Sequence, residues 1–271
     1  MRVATWNLLH GIPLLDPLNV PNLAQVASSI SADLIGLQEV DRQQSRSNFE
    51  HQTETVANAL GLPYWVYSPS VTGTPGEAWE GATDSHIHSH EHQASDSEHN
   101  QPHYGIGLAS RFPLTNIEVV RFNPAPFSLP LLVPSEPRPR LMKVADEPRL
   151  AIIADVETPL GMFTVANTHL SFVPGYNVKQ LRKLTKHLGD RPNPIFILGD
   201  FNLPGKIANL VSRWDSLATL PTYPTFNPRI QFDHIISKGL NDETIQRARK
   251  SAEVMPLAIS DHCALVVEIT K

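Results

Sequence analysis

Short apolar runs that end in polar side chains constrain the fold of this 271-residue chain most strongly. In the clearest example, the apolar residues 195–198 lie between Pro194 and Gly199, and Asp200 and Asn202 follow. Such a bounded run is typical of a strand buried on both faces. A carboxylate directly after it is costly to bury unless a metal, a partner or a substrate compensates its charge. Taken alone, the segment is equally compatible with an ordinary turn.

The same arrangement recurs along the chain, and this favours a shared site. Further polar groups at the ends of apolar runs are Asn7, Glu39, His169, Asp233, Asp261 and His262. Strand ends that meet at one edge of a sheet would gather these groups into one cleft. Carboxylate and amide oxygens suit Mg²⁺ or Mn²⁺, and imidazoles suit proton transfer or phosphate contact. The pattern therefore predicts a metal-dependent hydrolase.

The polar groups belong to motifs that follow one another in order across nearly the whole chain. The motifs are Trp6-Asn7, Gln38-Glu39, Thr168-His169-Leu170, Gly199-Asp200-Phe201-Asn202, Phe232-Asp233-His234-Ile235 and Ser260-Asp261-His262. Together they resemble the endonuclease/exonuclease/phosphatase superfamily, which includes deoxyribonucleases, apurinic-site endonucleases, neutral sphingomyelinases and inositol polyphosphate phosphatases. The resemblance implies cleavage of a phosphoester bond with Mg²⁺ or Mn²⁺ as cofactor, and it leaves the substrate open.

The resemblance also implies a division of roles between metal and phosphate. Glu39 would be the principal metal ligand, with Asn7 and Asp261 close to the ion. His262 would face the scissile phosphate, and Asp233 would accept a hydrogen bond from His262 and orient its ring.

Two further motif residues would act on the attacking water. By the resemblance, Asp200 and Asn202 would position or deprotonate it, and His169 would be a second imidazole on the phosphate side. The choice of general base between Asp200 and His262 stays open.

The segment 103–111 resembles a family strand that carries an active-site tyrosine in some members. Either His103 or Tyr104 could donate a hydrogen bond to phosphate. The alternative is that Tyr104 packs at the start of a strand and His103 is solvated. Asp41 and Arg42, just beyond Glu39, either support the metal ligands or form a polar loop.

Length and composition favour one domain that spans residues 1–271. The resemblance implies an α/β (α+β) fold, a four-layer sandwich of two facing, mainly antiparallel β-sheets flanked by helices. We predict strands near 2–7, 33–38, 64–68, 104–110, 115–121, 149–157, 162–168, 194–199, 232–236, 244–249 and 263–269. We predict helices near 21–31, 52–60, 177–188 and 204–211.

Two segments do not fit the alternation of strands and helices. The segment 72–102 is polar and rich in His, which predicts a mobile insert or lid; its alternating His residues could instead bind a metal such as Zn²⁺. The Pro-rich stretch 124–139 predicts an extended loop.

Cys263 opens an apolar run and is expected to be a buried thiol without a nucleophilic role.

Charge narrows the substrate classes only weakly. With 22 Lys and Arg against 27 Asp and Glu, the chain lacks the positive field typical of tight duplex binding. A nucleic acid, a nucleotide-like molecule or a lipid head group all stay open as substrate, and the alternative to a nuclease-type phosphodiesterase is a phospholipid or inositol-phosphate phosphoesterase. A cationic face on helix 177–188 is a solvated surface or an anion contact. The other class of function is an inactive phospholigand- or metal-binding protein.

Location and partners follow from what the sequence lacks. No stretch approaches the length of a membrane span, and the first predicted strand starts at once, so we expect a cytoplasmic protein without stable membrane insertion. No aromatic-rich hairpin for membrane contact and no protein partner is evident from the sequence.

Overall fold

A computed structural model describes residues 1–12, 21–84, 87–91, 101–133 and 140–270. The strands are β1 (Arg2–Asn7), β2 (Leu34–Arg42), β3 (Tyr64–Gly73), β4 (Trp79–Gly81), β5 (His88–Ser89), β6 (His103–Ser110), β7 (Leu114–Phe122), β8 (Ser128–Val133), β9 (Arg140–Ala145), β10 (Arg149–Thr158), β11 (Gly161–His169), β12 (Ile195–Asp200), β13 (Asp215–Ser216), β14 (Asp233–Lys238), β15 (Glu253–Met255) and β16 (Ala264–Glu268). The helices are α1 (Leu23–Ala27), α2 (Gln52–Leu60), α3 (Tyr176–Leu188), α4 (Ile207–Ser212) and α5 (Asp242–Ser251).

The strands form two large sheets. The first has the order β15-β16-β1-β2-β6-β3-β4, with β5 paired to β3; the second has the order β13-β14-β12-β11-β10-β7. Strands β1 and β2 pair in parallel, as do β11 and β12. The other pairs in the described part of these sheets are antiparallel. Parallel pairing puts the carboxyl ends of neighbouring strands at the same edge.

Three apolar clusters divide the molecule into layers. The central cluster lies between the two sheets and includes Leu34 of β2 and Phe196 of β12. A second cluster packs α1 and α2 on the outer face of the first sheet around Trp6. A third packs α3 and α4 on the outer face of the second sheet around Leu181 and Phe201. This arrangement confirms the predicted four-layer sandwich of mainly antiparallel sheets.

A buried amide joins the two sheets inside the central layer. Asn167 of β11 donates to the backbone oxygens of Leu37 (3.0 Å) and Gly107 (2.7 Å) in the first sheet, and its Oδ1 accepts from Gln38 Nε2 (2.6 Å). Gly36 provides the space, because a Cβ there would lie 2.5 Å from Asn167 Oδ1. All three hydrogen bonds are shielded from water, so their loss would leave buried groups unpaired.

The Asn167 amide lies beside an irregularity in β2 that aims a functional side chain. The register between β2 and β6 shifts between Leu37 and Val40, which places Glu39 in a β-bulge. The backbone of Glu39 is left-handed, with φ of 54°. Bulges of this kind redirect a side chain away from the regular alternation of the strand.

The segment 244–249 is helical, so the prediction of a strand there was wrong. It lies in α5, where the Asn241 side chain accepts from Thr244 N and caps the first turn. Asp242 and Glu243 lie in the first turn and basic residues in the last, which complements the helix dipole. The helix buries Ile245 and Ala248. A spacing of three places both side chains on one face of a helix.

The Pro-rich stretch is not wholly a loop. Its middle part forms β8, which pairs with β9 from Ser128 opposite Ala145 to Val133 opposite Arg140. The predicted loop was therefore wrong for residues 128–133. Proline is excluded from central strands, but Pro130 lies in a hairpin that pairs with neither large sheet in the described part of the chain.

The described residues of the insert 72–102 include β4 and β5, which both pair with β3; mobility of the insert stays a prediction. His88 is buried, pairs through β5 with β3 and stacks on Tyr67 with ring centroids 6.3 Å apart. Among described residues, no potential metal group includes His88 or His90. His86, His92 and His99 lie outside the described residues. Cys263 is fully buried, as predicted.

None of the helices in the described ranges is both long enough and apolar enough to cross a membrane.

We expect Asn167→Ala to lower the free energy of unfolding by roughly 2–4 kcal/mol, because two buried carbonyls lose their donors and a small cavity opens. Urea unfolding monitored by circular dichroism measures the loss. Asn58→Ala, at an exposed position of α2, is the control and should stay within about 0.5 kcal/mol of the wild type. Equal stability of the two variants would contradict the role given to Asn167.

Candidate active site

The strand ends of both sheets open into one cleft of about 420 Å³. Its lining residues are Glu39, Arg149, His169, Phe172, Asp200, Asn202, Tyr223, Ile230, Phe232, Asp261 and His262. Strand register brings three of the predicted residues into one row, because His169 pairs with Asp200 across β11 and β12, and Asp200 pairs with Asp233 across β12 and β14. Asn7 and Asp233 are buried beneath the cleft.

Asn7 connects the two halves of the site. Its Nδ2 atom lies 3.0 Å from Glu39 Oε1, on the first sheet, and 3.0 Å from Asp200 Oδ2, on the second. Its Oδ1 accepts from Leu9 N, and its backbone oxygen accepts from Ser260 Oγ. One amide therefore holds two carboxylates at fixed positions across the sandwich.

His262 and Asp233 form a buried charged pair that also crosses between the sheets. Nδ1 of His262 lies 2.8 Å from Asp233 Oδ2, which also accepts from Thr222 Oγ1. Burial by itself lowers the pKa of His262, but the negative charges of Asp233 and Asp200 outweigh it and raise this pKa to about 10. The ring is a cation at neutral pH, and its Nε2 lies 3.8 Å from Asp200 Oδ2.

Asp200 is a buried carboxylate that lies between a positive and a negative charge. The pKa of Asp200 is raised to about 7, mainly by burial. The negative charge of Asp233 adds to this rise, and the positive charge of His262 opposes it. Asn202 N donates to Asp200 Oδ1 at 2.8 Å, from a left-handed backbone with φ of 50°. Gly199 allows β12 to pair closely with β11 just before Asp200, because a Cβ at this position would lie 1.8 Å from Thr168 O. A carboxylate with a pKa near neutrality can both hold and release a proton at physiological pH.

Glu39 and Asp261 offer oxygen ligands on the other side of the cleft. Burial raises the pKa of Asp261 to about 6, and Glu39 adds to this rise while His262 opposes it. Asp261 Oδ1 is buried with no hydrogen-bond partner among the described residues. A carboxylate oxygen without a donor, facing a second negative charge, fits a divalent cation that prefers hard oxygen ligands.

A second cluster of side chains, two carboxylates and an imidazole, could also hold a metal. Ligand atoms of Asp200, Asp233 and His262 lie within 4.8 Å of one another. Here Asp233 already accepts two hydrogen bonds, and His262 carries a positive charge that repels a cation. The Glu39 side of the cleft is therefore the better match for a divalent ion.

Arg149 fixes His169, and the sequence did not indicate this residue. Arg149 Nη1 lies 3.0 Å from His169 Nδ1, and its guanidinium pairs with Asp146 and with Glu147 (3.2 Å). Burial, with the charges of Arg149 and His262, lowers the pKa of His169 well below its usual value, so the ring is neutral. Arginine only donates, so Nδ1 accepts and Nε2 carries the proton.

The amide of Asn202 competes for the same ring. Asn202 Nδ2 lies 3.3 Å from His169 Nε2 and 3.0 Å from Leu170 O. A neutral imidazole has one accepting nitrogen, and the charged guanidinium of Arg149 makes the stronger hydrogen bond. His169 therefore presents an N–H toward the cleft, where Asp200 Oδ2 lies 3.6 Å away.

The structure separates the two candidates at the start of β6. Tyr104 borders a small cavity next to Arg149 and His169, and its ring faces Arg46 at 5.6 Å. His103 is fully buried on the other face of the strand, with Nδ1 3.2 Å from Arg42. The cleft lining does not include His103, and the expectation that His103 is solvated was wrong. Asp41 is likewise buried and forms a two-point ion pair with Arg46.

We expect Asp233→Asn to lower the pKa of His262 sharply in metal-free protein, because the variant loses the nearest negative charge while burial still disfavours the cation. Titration of the imidazole by NMR measures this. The wild-type ring should stay protonated to about pH 10, and the variant ring should lose its proton at a clearly lower pH. His187, which pairs with Glu118, is the internal control. Unchanged titration of His262 would rule out Asp233 as the cause.

Solved structures of low sequence identity share the fold. An endonuclease/exonuclease/phosphatase family protein from Leptotrichia buccalis is 14% identical, with a TM-score of 0.60 and 100% of both chains covered. A protein of the same description from Beutenbergia cavernae is 20% identical, with a TM-score of 0.56, and the match covers 98% of this chain and 70% of that one. Sphingomyelinase C from Streptomyces griseocarneus is 13% identical, with a TM-score of 0.55 and 99% of both chains covered.

The family of the chain is established by its sequence. A search of curated proteins finds no match. Residues 4–262 match the Endonuclease/Exonuclease/phosphatase family, whose members are metal-dependent phosphoester hydrolases, and this match spans every motif that builds the cleft. The chain therefore belongs to the endonuclease/exonuclease/phosphatase family.

Proposed function

We propose that the protein is a divalent-metal-dependent phosphodiesterase that cleaves its substrate with an activated water. The main support is the pairing of Asp200 with His262, whose Nε2 lies 3.8 Å from Asp200 Oδ2; burial raises the pKa of Asp200 to about 7, and nearby carboxylates raise that of His262 to about 10. Asp200 can take a proton at neutral pH, and the His262 cation can stabilise negative charge on the phosphoryl group. Hydrolysis of a phosphodiester needs both functions.

The metal side of the cleft would be built by Glu39, Asn7 and Asp261. The unpartnered Oδ1 of Asp261 and the neighbouring charge of Glu39 support this assignment. Mg²⁺ or Mn²⁺, when bound, would offset negative charge on the non-bridging phosphate oxygens.

The proton transfers are assigned to residues of the second sheet. Asp200 accepts the proton of the attacking water, and Asn202 helps to orient that water. The negative charges of Asp233 and Asp200 raise the pKa of His262 to about 10, which favours the protonated ring, so we assign His262 the role of a donor and not of the base. It donates a hydrogen bond to the phosphoryl group instead, with Asp233 fixing its ring. The new P–O bond to the water oxygen replaces the P–O bond to the leaving group, whose oxygen takes a proton from solvent water. His169, held neutral by Arg149, donates a second hydrogen bond from Nε2.

The substrate is not fixed by the fold. Proteins of this fold include a mannosyl-6-phosphatase from Bacteroides thetaiotaomicron and a sphingomyelinase C, which differ in substrate. We favour a diester because three carboxylates, Glu39, Asp200 and Asp261, line the cleft, and the added negative charge of a monoester would lie against Asp200. Tyr104 could contact the substrate only through the small cavity beside Arg149.

The competing function is a phospholigand-binding protein without turnover. It predicts ligand binding with no release of product. A site that has kept Asp200, His262 and their supporting hydrogen bonds argues against it.

Hydrolysis of bis-p-nitrophenyl phosphate and p-nitrophenyl phosphate, with Mg²⁺, Mn²⁺ or EDTA, tests the proposal. We expect metal-dependent release that is faster for the diester and is reduced roughly a hundredfold or more by Asp200→Ala. Asp190→Ala, at an exposed position, is the control and should retain wild-type rates. Metal-dependent binding of phosphate without turnover would favour the binding protein.

The division between metal and phosphate residues is tested by calorimetric titration with Mn²⁺. We expect Glu39→Gln to weaken Mn²⁺ binding about tenfold or more, because a charged ligand becomes neutral. His262→Ala should retain most of the affinity yet lose turnover, because the imidazolium faces the phosphate and repels the cation. An equal loss of affinity in both variants would mean that the roles are divided wrongly.

A further inference from the structure

One hydrogen-bond donor of the catalytic cleft has no role in the proposed reaction. The lining residues whose side chains can donate are Arg149, His169, Asn202, Tyr223 and His262. All of them except Tyr223 act on the attacking water, on the phosphoryl group or on the ring of His169. Tyr223 offers a phenolic hydroxyl, and among the described residues that line the cleft it alone has a hydroxyl group.

A series of contacts crosses the cleft and ends at Tyr223. Asn202 Nδ2 lies 3.3 Å from His169 Nε2. His169 Nε2 and His262 Nε2 lie 3.6 and 3.8 Å from Asp200 Oδ2, so this carboxylate connects the two imidazoles. The ring of Tyr223 then packs on His262, with ring centroids 5.0 Å apart. Along the series, His262 lies between Tyr223 and the groups that would hold the attacking water.

The in-line course of phosphoryl transfer fixes where the leaving oxygen departs. The attacking and leaving oxygens lie on opposite sides of the phosphorus. Asp200 and Asn202 would hold the water at one end of the series, and His262 would contact the phosphoryl group in the middle. The leaving oxygen therefore departs toward the other end, where Tyr223 lies. A donor at this place stabilises the negative charge that develops on that oxygen.

Hydrogen bonds hold the segment that carries Tyr223. Tyr223 N donates to Ile230 O, and Ile230 N donates to Tyr223 O, both at 2.9 Å. The preceding residue, Thr222, donates its hydroxyl to Asp233 Oδ2, the same atom that contacts His262 Nδ1. One buried carboxylate thus fixes both the His262 ring and the backbone next to Tyr223.

The hydroxyl of Tyr223 is open to a substrate and to solvent. The side chain is half-buried, with the Phe232 ring centroid 5.5 Å away, and its hydroxyl makes no hydrogen bond within the described part of the chain. A phenol keeps its proton at neutral pH. Burial raises the pKa of Tyr223 further, and the negative charges of Asp261 and Asp200 add to this rise. The side chain therefore enters the reaction as a donor.

We propose that Tyr223 is a catalytic residue that protonates the leaving oxygen. This inference rests on the proposed phosphodiesterase function and adds a proton donor to it. As the water oxygen bonds to phosphorus, one water proton passes to Asp200 and the other stays on the phosphoryl product. The bond between phosphorus and the leaving oxygen breaks, its electron pair stays on that oxygen, and the oxygen takes the hydroxyl proton of Tyr223. The half-exposed phenolate regains a proton from solvent water, so the proton taken from solvent passes through Tyr223.

Hydrolysis of two esters that differ only in their leaving group tests this role. Methyl p-nitrophenyl phosphate releases a weakly basic phenolate that departs readily without a proton, whereas methyl phenyl phosphate releases a more basic one. With Mn²⁺ present, we expect Tyr223→Phe to lower kcat/KM roughly a hundredfold for the phenyl ester and less than tenfold for the nitrophenyl ester. Tyr176→Phe removes a hydroxyl from another half-buried ring, outside the described lining of the cleft, and should retain wild-type rates with both esters.

Urea unfolding of the metal-free proteins separates catalysis from packing. The midpoint for Tyr223→Phe should equal that of the wild type, because the ring keeps its contacts with His262 and Phe232. A lower midpoint together with equal losses for the two esters would show that Tyr223 only supports the site, and this would overturn the proposal.

The two proposals fail in different ways. Equal losses with both esters, or no loss with either, would overturn the role of Tyr223 and leave the phosphodiesterase function standing. Absence of metal-dependent release from either ester by the wild type would contradict the phosphodiesterase function, and the role of Tyr223 would fall with it.

Discussion

The hydrogen bonds of one amide determine whether the candidate site exists. Asn7 Nδ2 joins Glu39 of the first sheet to Asp200 of the second, and the pair His262–Asp233 makes a second link between the same two sheets. Each sheet alone carries only part of the constellation. The site is therefore a property of the sandwich interface, and the central apolar layer and the buried Asn167 support it by holding the sheets at a fixed separation.

Burial at this interface sets the chemistry of the ionisable groups. It raises the pKa of Asp200 and lowers that of His169, whereas the surrounding carboxylates overcome it at His262. Three groups within one cleft thus differ in protonation state at the same pH. Environments that push neighbouring pKa values apart are the usual way in which a site separates acid from base.

Part of this site is predictable from sequence because its polar side chains border apolar runs: Asn7 and Asp200 end β1 and β12, and His262 directly precedes the run that forms β16. Arg149 begins a strand instead, so nothing in its local pattern indicated a functional residue. Strand alternation separates Tyr104 from His103, but the sequence does not tell which face meets the cleft. The hairpin was missed because the rule against proline applies to central strands and not to a hairpin such as β8–β9.

A double-mutant cycle between Asp200→Ala and His262→Ala, one residue from each side of the sandwich, tests most directly whether the two sheets build one catalytic unit. The measured quantity is kcat/KM for bis-p-nitrophenyl phosphate with saturating Mn²⁺. If both residues act in one step, the double variant will be little slower than the worse single variant. Losses that simply multiply would show that the residues act independently and would contradict the account of a single centre.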